Sequence, residues 1–256
     1  MSSARAWLRL VALAVTTTPV WLGLVASKPV TWIHRRLGLR LEGWWLRHWA
    51  RTSAAVVGLR IASQGPPPKP PFFLVCNHLS YLDIVVLLSL VDGRFLAKSE
   101  IARWPVMGLL ARTTGTLFIE RTRPRDLARV LPAVTDRLDA GAGVIVFPEG
   151  TSTRGDAVLP FKPGIFEVAV RTSIPVSCAA LRYRTPPHSP PAHLSVCWWG
   201  DTPFVGHFFR LLALPRIEAT VAFGGQPITA GDRKALAARA QEAVSDHFTP
   251  LVGCEA

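Results

Sequence analysis

The sequence predicts an α/β fold, a largely parallel sheet flanked by helices, with an N-terminal membrane-associated helical pair. Three observations carry that expectation. After residue 71, short apolar runs alternate with stretches of helical period, the pattern of strands and helices layered on one sheet. Polar clusters follow several of those runs directly, where open α/β sheets gather their ligands at the carboxyl ends of strands. Ahead of residue 65 the chain is apolar, rich in tryptophan and punctuated by arginine, which suits a bilayer surface.

Residues 10–27 form an uncharged stretch, with Arg5 and Arg9 before it and Lys28, Arg35 and Arg36 after it. A helix of that length reaches about 27 Å, just short of a bilayer core of about 30 Å. Pro19 and the threonines at 16–18 weaken it as a clean span, and positive charge on both flanks gives no topological asymmetry. A signal peptide cleaved after Val25-Ala26-Ser27 is the competing reading. In the next stretch, at about 100° per residue, Arg36, Arg40, Arg47 and Arg51 share one stripe, with Leu41, Trp45 and Trp49 opposite. Trp32, Trp44, Trp45 and Trp49 add rings that prefer the headgroup region. The two segments together predict a helical pair dipping into one leaflet of the cell membrane from its cytoplasmic face.

The proline-rich run 65–71 reads as a stiff linker, dividing an anchoring segment, 1–64, from an α/β domain, 72–256. Strand-like runs follow at 72–76, 94–97, 116–119, 143–147, 174–181, 194–198 and 217–223. The clearest helix carries Leu127, Val130, Leu131, Val134 and Leu138, opens near Pro124 and stops at Gly141, with Pro132 predicting a kink. A last helix spans 232–247, and the second proline-rich segment, 185–191, is a surface loop.

The chain has 256 residues, close to half of them hydrophobic, and a net charge of +12. Charge of that sign calls for an anionic partner, and the tryptophan-rich N-terminus favours membrane lipid over nucleic acid. Cys76, Cys178, Cys197 and Cys254 are scattered, which argues against a zinc site or a disulfide framework. His34, His48, His188, His193, His207 and His247 show no ligand spacing with acidic residues, so no metal is expected.

The run Asn77-His78-Leu79-Ser80-Tyr81-Leu82-Asp83 stands between a strand-like segment and a helix-like one. His78 can act as a base near neutral pH, and Asp83 can fix its tautomer. Five residues along one regular helix turn through about 140°, which would point the two side chains apart. They meet only with His78 in the leading loop and Asp83 in the first helical turn. Helix capping is the bland alternative. A second cluster, Phe147-Pro148-Glu149-Gly150-Thr151-Ser152-Thr153-Arg154-Gly155, also follows a strand. Gly150 and Thr151 can offer N–H groups and a hydroxyl, Glu149 an acceptor, and Arg154 and Lys162 positive charge, a mixture suited to a polar headgroup. A third cluster, Phe118 to Arg123, offers Arg121 for a forked contact with an anion. Singly, each reads as a solvated loop with salt bridges.

Their order resembles the glycerolipid acyltransferases, the 1-acylglycerol-3-phosphate acyltransferase (PlsC-like) family, across most of the chain after Pro71. Asn77-His78 with Asp83 resembles the family's H-x4-D block. Lys98 with Trp104-Pro105-Val106-Met107-Gly108, and Gly115 through Arg121, resembles the second. Phe147 to Thr151 resembles the third, and Ile174-Pro175-Val176 the fourth. The resemblance implies transfer of a fatty acyl group from acyl-CoA or acyl carrier protein, a co-substrate, to the hydroxyl of a lysolipid, with no cofactor. His78 is then the base, Asp83 orients it, and Asn77, Lys98, Arg121, Glu149, Gly150, Thr151, Arg154 and Lys162 bind substrate. The implied acceptor is 1-acyl-sn-glycerol-3-phosphate, giving phosphatidic acid in phospholipid biosynthesis. One departure bears on it. The third block commonly continues with arginine, and here that position is Ser152, which leaves open an acceptor without a phosphate monoester, such as lyso-ornithine lipid. A lipid or thioester hydrolase using the same pair, and a non-catalytic membrane-binding protein, are the rival classes.

Overall fold

The structure, a computed structural model, describes residues 3–103, 108, 111–112, 114–119 and 124–252, with the backbone alone at Lys98 and at 124–128. Arg121 and the 104–107 run lie outside the described residues. Two long helices open the chain, α1 (Ser3–Ile33) and α2 (Arg35–Val57), followed by β1 (Leu59–Gln64), β2 (Phe73–Cys76), α3 (Leu82–Leu90), β3 (Gly93–Lys98) and β4 (Leu117–Ile119). Then come α4 (Pro124–Asp139), β5 (Gly143–Val146), α5 (Phe166–Thr172), β6 (Val176–Arg184), α6 (Ala192–Ser195), α7 (Phe204–Ala213), β7 (Ile217–Phe223) and α8 (Arg233–His247).

The described strands form one sheet in the order β1-β7-β6-β2-β5-β3-β4. β6, β2, β5, β3 and β4 run parallel, β7 lies antiparallel to β6, and β1 runs parallel to β7 at the edge. The fold is the mostly parallel sheet flanked by helices that the alternating pattern predicts. β2 and β5 are buried along their whole lengths because helices cover both faces, which is why their sequences read as unbroken apolar runs. On one face Leu74, Cys76, Ile145 and Leu181 pack with residues of α1, α2, α3 and α7. On the other, Phe73, Val75, Val144 and Val146 pack with α4, α5 and α8. Asp232 caps α8, its carboxylate accepting from the N–H groups of Lys234 (2.8 Å) and Ala235 (3.0 Å).

Two stretches differ from the sequence reading. Residues 59–64, read as part of the anchoring segment, form β1 and pair with β7 from Leu59↔Ile217 to Gln64↔Ala222. The proline-rich 65–71 run therefore joins two strands of one sheet. Gly58, in the left-handed region at φ 73°, ends α2 and lets the chain enter β1 directly. Residues 194–198 are not a strand: Pro191 opens the short helix α6, whose Ser195 hydroxyl bonds back to the Pro191 carbonyl at 2.9 Å. The segment after α6 then reaches the Asn77–Asp83 run, the Trp198 N–H donating to the Leu79 carbonyl at 2.8 Å.

α1 is long and apolar enough to cross a membrane by length and composition, and it suggests membrane association. It runs through Pro19 and Pro29, and Thr16 and Thr18 bond back to the Ala12 and Ala14 carbonyls at 2.8 and 2.9 Å. Its first turns are docked on the domain, where Arg5 and Arg9 donate to the Ala213 and Leu212 carbonyls at the end of α7, both at 3.1 Å. The tryptophans divide. Trp32 and Trp44 are exposed, as a headgroup role asks, whereas Trp45 and Trp49 pack against Val20, Leu24 and Leu46. The Trp49 indole N–H donates to Thr17 at 3.1 Å, so these two rings hold the hairpin together rather than face lipid. Glu42, buried in α2, accepts from Lys28 (3.0 Å) and Thr31 (2.9 Å) of α1 and lies 3.8 Å from buried Arg94 of β3, tying hairpin to sheet.

Candidate active site

β2 ends at Cys76, and the chain must turn before α3 begins. Asn77 fixes that turn: its amide accepts from the Leu181 N–H at 2.7 Å and donates to the Leu181 carbonyl at 2.9 Å, pinning the strand end to β6. Buried with both ends of its amide engaged, Asn77 supports the site instead of reaching into it. His78 lies in the leading loop and Asp83 in the first turn of α3, the single placement that lets the pair meet. His78 Nδ1 stands 2.7 Å from Asp83 Oδ2. The same oxygen accepts from the N–H groups of Leu79 (2.7 Å) and Ser80 (3.1 Å), so Asp83 also organises the loop ahead of the helix. Asp83 Oδ1 accepts from the Tyr183 phenol at 2.7 Å. Asp83 is fully buried, whereas the His78 side chain is 21% exposed. The carboxylate stays inside, the ring at the surface.

The third block closes over the first. The His78 ring stacks on Phe147, centroids 4.1 Å apart and planes within 8°. The His78 N–H donates to Glu149 Oε1 at 2.7 Å, and the Leu159 N–H to Glu149 Oε2 at 3.0 Å. The Thr153 N–H returns to the His78 carbonyl at 3.0 Å. Burial pushes the Glu149 carboxyl up to about 7; the two N–H donors pull the other way, and nearby Asp83 adds to the rise. Gly150, at φ 79°, makes the turn whose N–H bonds the Phe147 carbonyl.

The remaining candidates sit less centrally. Arg154 is half exposed and forked onto Asp156 at 3.0 and 2.9 Å, a pairing that offsets its charge. Ser152 turns its hydroxyl onto the Trp198 carbonyl in a short contact. Thr151 and Lys162 are exposed, and the Lys162 N–H bonds the Pro148 carbonyl at 3.0 Å. Lys98 ends β3, and Arg121 lies outside the described residues. Tyr183 and Phe147 were not singled out from sequence as site residues. The signal for Tyr183 was a phenol two residues past the apolar 174–181 run and in step with it, since a phenol carried into the core needs a hydrogen-bond partner.

The arrangement is a histidine with one ring nitrogen engaged by a buried carboxylate, at the carboxyl end of a central strand. A family model described as Acyltransferase matches residues 58–182, which include His78, Asp83 and Glu149. The lyso-ornithine lipid O-acyltransferase of Rhodobacter capsulatus is 35% identical over 201 residues, 76% of this chain and 72% of that protein. The 1-acyl-sn-glycerol-3-phosphate acyltransferase of Neisseria gonorrhoeae is 35% identical over 131 residues, 51% of each chain. The crystal structure of the 1-acyl-sn-glycerophosphate acyltransferase PlsC from Thermotoga maritima superposes with a TM-score of 0.65 at 19% identity, covering 96% of this chain and 97% of that one, and shares the fold. The chain belongs to the acyltransferase family and is an acyltransferase of lysolipids.

Proposed function

We propose that this protein moves a fatty acyl group from an acyl thioester, acyl-CoA or acyl carrier protein, to the free hydroxyl of a lysolipid lacking a phosphate monoester, of the lyso-ornithine lipid class. The observation that carries the reaction is the buried Asp83 carboxylate on His78 Nδ1. With that nitrogen engaged, Nε2 is left for substrate. His78 removes the acceptor's hydroxyl proton as the oxygen attacks the thioester carbonyl. The tetrahedral intermediate expels the thiolate, His78 returns the proton to sulfur, and lipid ester and free thiol leave. Asp83 stabilises the imidazolium between the two transfers. General base catalysis of this kind contributes about a hundred- to ten-thousand-fold.

Two features support the acceptor class. At Ser152 the family's usual arginine is missing, and the serine hydroxyl is committed to Trp198. Arg154, two residues on, is paired with Asp156. The relative named for lyso-ornithine lipid also aligns over more of the chain than the one named for glycerol phosphate. Arg121 and the +12 charge favour the second reading, 1-acyl-sn-glycerol-3-phosphate as acceptor.

An acyl-transfer assay on both acceptors, read by mass spectrometry, tests the proposal. His78→Ala should lower turnover at least about a hundredfold. Wild type should prefer the zwitterionic lysolipid. Ser152→Arg should improve use of the phosphate acceptor by roughly ten- to a hundredfold, the effect of one charge-assisted hydrogen bond. Near-normal transfer by His78→Ala would overturn the base assignment, and a wild-type preference for the phosphate acceptor would return the second reading.

A further inference from the structure

We infer that Tyr183, on strand β6 and outside the catalytic run, is a positioning residue for acyl transfer: its phenol O–H fixes the carboxylate that holds the base. The inference rests on the reading of His78 as that base. Asp83 is completely buried, and an unpaired carboxylate oxygen there would be costly. Its Oδ2 already accepts from His78 Nδ1, the Leu79 N–H and the Ser80 N–H, at 2.7, 2.7 and 3.1 Å. Its Oδ1 accepts from the Tyr183 O–H at 2.7 Å. Without that bond the carboxylate could rotate about its Cβ–Cγ axis and lose the oxygen that faces His78. Tyr183 is 2% exposed and so touches no substrate. β6 supports the site twice, since Leu181, two residues earlier on the same face, carries both hydrogen bonds to Asn77.

The phenol also tunes the pair. Burial, with the Asp83 charge beside it, holds its pKa well above the usual tyrosine range, so it remains a donor at working pH. A donor on Oδ1 draws carboxylate charge away from Oδ2 and tempers the basicity that Asp83 confers on His78. Among the described residues, four segments outside the Asn77–Asp83 run face the pair with titratable groups. Cys76 comes from β2, Cys197 from the segment after α6, Tyr183 from β6 and Glu149 from the loop after β5. Burial keeps both thiols neutral, while Glu149 titrates near neutrality, so His78 itself must be watched rather than the activity limb alone.

The test is Tyr183→Phe, which keeps the ring and deletes the donor. kcat should fall about tenfold with KM for donor and acceptor near wild type. The His78 titration, followed by ring-carbon NMR and assigned with His78→Ala, should move to higher pH in the variant, because Oδ2 regains the charge the phenol drew off. The chain has 2 tyrosines, so 3-fluorotyrosine incorporated into Tyr81→Phe labels Tyr183 alone. The more acidic fluorophenol strengthens the bond and should move the His78 pKa down relative to unlabelled Tyr81→Phe. That protein keeps the hydroxyl and carries the test if Tyr183→Phe does not fold. A residue that merely packs would lower the unfolding temperature and move neither kcat nor the His78 pKa, and that result overturns the inference. Retained activity in His78→Ala would overturn the base reading beneath it. An inactive His78→Ala beside an indifferent Tyr183→Phe would overturn this inference alone.

Discussion

Burial of Glu149 couples the stability of the fold to pH. Glu149 is 2% exposed, and burial raises its carboxyl from an ordinary 4.5 to about 7 despite two N–H donors. A raised folded pKa means that the native state keeps a proton which the unfolded chain releases at lower pH. The corresponding stability is fully present below about pH 4.5 and is lost as pH rises through about 7. A shift from 4.5 to about 7 corresponds to roughly 3 kcal/mol at 1.36 kcal/mol per unit. Glu149→Gln removes the titration but also puts an amide NH2 opposite one of the two N–H donors, at a cost of about 1–3 kcal/mol. The variant should therefore be less stable than wild type at pH 5 and equal or better at pH 8. Urea unfolding in detergent micelles, followed by tryptophan fluorescence at pH 5, 6, 7 and 8, reads the difference. The quantity that matters is wild type minus variant, because other titrating groups cancel. A difference that stays flat across that range would refute the argument and put the Glu149 proton off the carboxyl throughout.

Two further predictions concern the hairpin. Glu42→Gln leaves Arg94, 2% exposed, without its carboxylate on the hairpin side, though Asp92 remains at 3.4 Å. It should cost about 2–4 kcal/mol, just under the usual range for breaking a buried pair, and an unchanged thermal melt would show that the tie is idle. Val15→Asp with Leu22→Asp puts charge on side chains that are 66% and 55% exposed on α1. Vesicle binding in flotation should weaken by roughly thirty- to several-hundredfold while activity on detergent-dispersed acceptor persists, and equal loss in both would assign these two side chains to the fold.

The parts legible in sequence are those whose partners are close in sequence or whose environment is uniform. His78 and Asp83 are five residues apart, so helix geometry alone sets the condition for their meeting. β2 and β5 were readable because both of their faces are covered. β1 escaped notice as an edge strand: beyond Leu59 it is half-buried or exposed, so it carries almost no alternation. Trp45 and Trp49 were read on an apolar face correctly, but periodicity does not say whether lipid or another helix covers that face. Tyr183 lies 100 residues from Asp83, and their meeting depends on β6 lying beside β2, which no local pattern encodes.

The way the hairpin is attached bears on how a lysolipid reaches the proposed base, His78. An anchor on a flexible tether raises only the effective concentration of the domain near its substrate and leaves the orientation of the site free. Here Ala6 of α1 and Ala50, Ala54 and Val57 of α2 belong to the same buried cluster as Leu79 and Leu82, within the Asn77–Asp83 run, and Tyr183, which bonds Asp83. That shared core fixes the hairpin's outer surface relative to His78. The exposed apolar side chains Leu8, Val11, Val15, Leu22 and Val25 lie along α1, and Val205, 78% exposed, stands at the start of α7. α7 leads back to the candidate site, because its His207 Nδ1 lies 3.0 Å from the hydroxyl of Tyr81 in the Asn77–Asp83 run. With His78 as the proposed base, an apolar surface fixed relative to it by a shared core can present a membrane-embedded hydroxyl in a restricted range of poses, which lowers the entropy left to lose at the transition state. Under the proposed reaction, the hairpin therefore serves turnover as well as location, and β6, through Asn77 and Asp83, holds the other side of the same site.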